Sequence, residues 1–127
     1  MLFRSPEKLR RYYDAALAGE DLAFEIARPG LPVRDLFDRV MACVRERGIP
    51  HYRRHHLGHG IGVEVYDPPL IGPGDDHTIE AGMVLNVETP YFELGWGAVH
   101  VEDPFLVGES GNEWLTRLSR DLGVIEA

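Results

Sequence analysis

Between Met83 and Val107 apolar and polar residues alternate on both sides of the segment ELGWG, a period of two that only extended strands satisfy. On the first strand Leu85 and Val87 share one face, with Asn86 and Glu88 on the other. On the second, Val99 and Val101 oppose His100 and Glu102. A three-residue turn through Leu94, Gly95 and Trp96 returns the chain in the register that sets Glu88 directly opposite Glu102. Like charges in opposed positions destabilise a sheet unless a shared proton or a bound cation neutralises them. Two readings stand at this point: a carboxylate pair that takes a cation, or two carboxylates facing water on a shifted register. His100 is likewise either part of that group or a polar strand residue.

Upstream of the strands the period is helical. Ser5-Pro6 has the form of an N-cap and first helical residue, and Leu9, Tyr13, Ala16, Leu17, Phe24 and Ala27 follow near helical spacing until Pro29-Gly30. A second helix is predicted from Val33 to Arg47, with Leu36, Phe37, Val40, Met41 and Val44 in one stripe and Gly48 just past its end. Pro68, Pro69, Pro73 and Gly74 mark a loop, and GNEWLT reads as a short closing strand followed by a helical turn or two. No repeat or linker interrupts the 127 residues, a length that suits one core, so 1–127 reads as a single α+β domain.

A formal net charge of −8 argues against nucleic acid or an anionic membrane as partner, because both demand a basic face, and leaves metal ions and cationic groups open. The start, MLFRSPEKLRRYY, lacks the apolar run of a signal peptide, and no later stretch is long enough to span a bilayer, so the expected location is cytoplasmic. The lone cysteine, Cys43, fits a reducing compartment and sits in MACV as a packing residue.

Four of the six histidines, His51, His55, His56 and His59, crowd around RRHHLGHGIG. Gly58, Gly60 and Gly62 disfavour a helix there; in an extended segment His55 and His59 share a face and His56 takes the other. The glycine spacing does not fit a phosphate-binding loop. One neutral imidazole with two carboxylates makes a reasonable shell for manganese, cobalt, zinc or iron.

Taken in order, HHLGHGIGVEVYDPP, IEAGMVLNVETPYF, AVHVEDPFLV and GNEWLT resemble the C-terminal half of the pita-bread metallopeptidases, the family of methionine aminopeptidase, aminopeptidase P, prolidase and creatinase. The Xaa-Pro branch is the most similar. The resemblance covers nearly the whole chain and implies two helices followed by a curved antiparallel sheet. It implies that His59, Glu88 and Glu102 are metal ligands, Glu102 bridging two ions in the family and Glu88 also doing acid/base work. It further implies that His55 binds substrate and assists proton transfer. In that family a divalent ion activates water and polarises the scissile carbonyl, on peptides with proline in the second position.

Three departures qualify the match. Tyr66 and His100 stand where the family commonly has a second histidine and, in proline-directed members, an arginine; both are substrate-side candidates of altered chemistry. The two aspartates that the family carries on strands before the first helix have no counterpart in this sequence. Asp75 and Asp76 read as turn residues, and Asp103 as pointing away from Glu102. The expectation is therefore a partial catalytic domain without its aspartate-bearing half, holding at most one ion. Two alternatives follow from the same residues: an inactive peptidase-like module for binding or assembly, and a creatinase-like hydrolase or lyase on the same scaffold. A homo-oligomer is expected, since half of such a fold would expose an apolar face.

Overall fold

The computed structural model describes residues 7–125, so the Ser5-Pro6 cap lies outside the described residues. Helix α1 spans Glu7–Ile26 and α2 spans Val33–Arg47, the second with the bounds its pattern predicts. Its stripe is also as expected, with Val33, Leu36, Phe37, Val40, Met41 and Val44 all buried. The buried face of α1 agrees with the predicted one at Ala16, and at Ala27 just past the helix, but not at the larger residues. It runs through Tyr12, Ala15, Ala16, Gly19, Glu20, Ala23 and Ile26, whereas Leu9, Tyr13, Leu17 and Phe24 are only partly buried. Small residues line the contact because they let the two helix backbones approach closely, and the larger side chains are displaced to its margins.

Among the described residues seven strands follow: β1 Gly58–Ile61, β2 Asp67–Leu70, β3 Val84–Glu88, β4 Tyr91–Glu93, β5 Gly97–Val99, β6 Glu102–Leu106 and β7 Glu113–Trp114. Five form an antiparallel sheet in the order β2-β1-β3-β6-β7, and β4 pairs with β5 in a separate two-stranded ribbon. The two long alternating runs of the sequence are thus each broken once. Pro90 cannot donate to the ladder and interrupts the first, while the second is interrupted at His100 and Val101. The register survives the break. Glu93 pairs with Gly97 beyond it and Glu88 with Glu102 before it, while the Thr89 N–H donates to the Val101 carbonyl at 3.0 Å between them.

One face of the sheet packs on α1 through Leu85, Val87 and Phe105, with Val99 and Val101 of the adjoining ribbon and its link buried in the same core as α2. Phe105 is fully buried, which is worth about 1.5–3 kcal/mol relative to exposure. Phe24 ties α1 to the far edge by stacking on Trp114, with centroids 4.2 Å apart. Asn112 closes the same corner by donating to the Phe24 and Ala27 carbonyls, which the end of α1 leaves free. The expected helical turns after GNEWLT are absent between Leu115 and Ile125. Arg120 instead anchors this segment in an extended path, bonding Glu20 of α1 and Asp103 of β6 and lying over the Trp114 ring. No helix is long and apolar enough to cross a membrane among the described residues.

Candidate metal centre

The open face of the sheet carries the polar residues of the alternation. Gly58 makes the approach of β1 to β3 possible: its φ is +129°, and a Cβ there would lie 1.9 Å from the Asn86 carbonyl oxygen. With the strands this close, His59 stands opposite Asn86, and Glu88 follows two residues further on the same face. Glu88 in turn stands opposite Glu102, as the turn through Gly95 requires.

Each carboxylate has one oxygen tied to the protein and one turned toward His100. Glu102 Oε1 accepts a 2.7 Å hydrogen bond from Asn86 Nδ2. Glu88 Oε1 lies 3.6 Å from the Arg54 guanidinium and 3.3 Å from His56 Nδ1. The remaining oxygens, Oε2 of Glu102 and Oε2 of Glu88, lie 3.2 and 3.7 Å from His100 Nε2. Glu88, His100 and Glu102 together offer one ligand atom each within 4.8 Å of one another. Two carboxylates and an imidazole are the donor chemistry of a divalent transition ion, and opposed carboxylates are the charge arrangement that a cation relieves, so these residues fit a metal.

His59 is buried at 6% exposure and set apart from that trio. Its Nδ1 lies 2.8 Å from the Gly60 carbonyl, which can only accept, so Nδ1 is the donor and Nε2 is the nitrogen left to face a ligand. Fixing one imidazole nitrogen on a backbone carbonyl is how proteins orient a ligating histidine. Tyr66 covers the ring, stacked at 3.8 Å, so its contact with the site is through its aromatic face.

His56, which alternation placed away from the site, lies beside it. The chain is irregular from His51 to Leu57 and becomes a strand only at Gly58, so a period of two does not apply there. His56 is the histidine beside Glu88; burial, opposed by the Glu88 charge, holds its pKa below the ordinary value. His55 is exposed and shares a small surface cleft with Arg53 and Arg54. Arg54 carried no signal in the sequence, because its contact with Glu88 is made across loops. Asn86 was already on the site face by alternation, although its bond to Glu102 was not foreseen.

The remaining acids serve the scaffold. Asp75 accepts from the Leu70 and His77 backbone N–H groups at 2.8 Å each, closing the proline-rich turn, and exposed Asp76 pairs with Arg34. Asp103 turns away from the site to Arg120 and Thr116. Cys43, half-buried, donates to the Ala18 carbonyl.

The family description of metallopeptidase family M24 matches residues 1–109. A Xaa-Pro dipeptidase of Pyrococcus furiosus is 34% identical over 116 residues, covering 91% of this chain and 33% of its own. Among solved structures, the X-Pro aminopeptidase from Thermotoga maritima MSB8 superposes with a TM-score of 0.87 at 28% identity, over 96% of this chain and 35% of that one. The prolidase from Pyrococcus furiosus gives a TM-score of 0.84 at 31% identity, over 94% of this chain and 35% of that one. The chain therefore spans about a third of the length of the curated relatives it matches.

Proposed function

The chain belongs to metallopeptidase family M24, and from that premise we propose that it carries the glutamate-bearing side of a metal-dependent Xaa-Pro peptidase centre. One observation carries this reading: Glu88 and Glu102 oppose each other on the open sheet face, with one oxygen of each turned toward the other and toward His100. Glu88 and Glu102 would hold a divalent cation, with His59 Nε2 as the imidazole that the family motif supplies. The cation would activate water and polarise the scissile carbonyl.

The chain's own residues perform the rest. Glu88 accepts a proton from the attacking water and returns it to the departing proline nitrogen, a transfer suited to a carboxylate held by Arg54 and His56. Asn86 fixes Glu102 by a bond to one oxygen. Exposed His55 and half-exposed Tyr66 flank the motif on the substrate side, His55 to carry a proton and Tyr66 to wall the cleft over His59. The substrate is a short peptide with proline in second position. Release of proline from such peptides in the presence of manganese or cobalt, abolished by Glu88→Gln and absent for peptides without proline, is the expected result. No metal-dependent release by the full chain would refute it.

A second reading has one observation in its favour. Val63 and Leu94 are fully exposed and Val65 is 79% exposed, apolar side chains in two turns that a binding or assembly module would use. Light scattering distinguishes it: a concentration-independent oligomer without peptide hydrolysis supports the module, and a monomer counts against it.

A further inference from the structure

We infer that His100 is a metal ligand, so that the cation site of this chain is formed by His100 Nε2 with the Oε2 atoms of Glu88 and Glu102. The inference rests on the reading of the two glutamates as cation ligands and changes the imidazole that completes them. His100 lies in the break between β5 and β6, two residues before Glu102, and Glu88 lies across the ladder from Glu102, so donors from two strands and the link between them converge. The choice of oxygens is the decisive detail. His100 Nε2 approaches the same-named oxygen on both carboxylates, at 3.2 and 3.7 Å, and these are the two oxygens left over after Asn86, Arg54 and His56 have engaged the others. Outer partners thus hold both carboxylates in the orientation that a cation beside His100 requires. His59 is a row away, opposite Asn86, under Tyr66 and outside the convergent trio. At 41% and 43% side-chain exposure, His100 and Glu102 leave the site open for a cation to enter. One nitrogen with two carboxylate oxygens suits manganese, cobalt, zinc or ferrous iron.

Manganese(II) binding to the full chain, followed by electron paramagnetic resonance with pulsed detection of coupled imidazole nitrogen, tests this without reference to catalysis. The expected result is a bound ion with a nitrogen coupling that His100→Ala removes, together with a loss of affinity of at least about tenfold, the scale that even an outer ligand partner commands. His100→Asn, with circular dichroism on both variants, separates loss of the donor from loss of the fold. A nitrogen coupling that persists in His100→Ala and disappears in His59→Ala overturns the inference while leaving the glutamate site intact. No binding by the wild type overturns it too. Binding that depends on His100 without any peptide hydrolysis supports it and counts against the peptidase reading alone.

Discussion

Glu88 and Glu102 face each other across the β3–β6 ladder, a pairing of like charges that costs stability unless a proton or a cation neutralises it. Glu102→Gln removes the repulsion and keeps the shape. In chelator, urea unfolding should show the variant more stable by about 0.5 kcal/mol. In manganese the order should reverse, because only the wild type gains binding free energy. A variant less stable than wild type in both conditions would contradict the account.

Asn86→Ala should separate support of the site from support of the fold. The bond to Glu102 Oε1 is a hydrogen bond to a charged group in a half-buried position, so its loss should cost about 1.5–3 kcal/mol in urea. Manganese affinity should fall about 10- to 100-fold in the same variant, as Glu102 loses its orientation. Unchanged affinity by calorimetry would show that Asn86 serves the sheet alone.

Gly58→Ala should be among the most damaging single-methyl additions in the chain. The new Cβ would sit 1.9 Å from the Asn86 oxygen on a backbone with φ +129°, so both the contact and the torsion oppose it. A loss of about 4 kcal/mol or more, read as a collapsed urea midpoint or an unfolded circular dichroism spectrum, is expected.

Glu20 links stability to pH. Burial pushes its carboxyl up to about 7 even though Arg120 bonds it. A raised pKa means that the folded chain keeps a proton that the unfolded chain has released. Stability from this group is therefore complete below about pH 4.5, the ordinary value, and is lost as pH climbs to about 7. Wild type should lose stability relative to Glu20→Gln across that window in paired thermal melts. Parallel melting curves for the two proteins would exclude the linkage.

Much of this arrangement was legible in the sequence, for identifiable reasons. Alternation and the turn around Gly95 are local, and together they are enough to oppose Glu88 and Glu102. The stripe of α2 was equally legible, because large apolar residues fill it. The stripe of α1 was misplaced by the same reasoning, since its buried face is built on alanine and glycine and carries a glutamate that only Arg120, a hundred residues later in the chain, makes tolerable. The segment before Gly58 was less legible: no strand exists there, so a period of two could not tell that His56 lies beside Glu88. Arg54 reaches Glu88 through tertiary contact alone, and spacing cannot announce that.

The two glycines that bring the site together should fail in different ways when every substitution is sampled. Gly95, at φ +79°, has nothing within 4 Å of where a Cβ would stand, so its demand is torsional, and asparagine or aspartate can meet it. Gly58 is enclosed by the backbone of β3, and no other residue is small enough. A library scan of this chain should therefore find position 95 selective and position 58 invariant, although both are glycines that set where Glu88 lies.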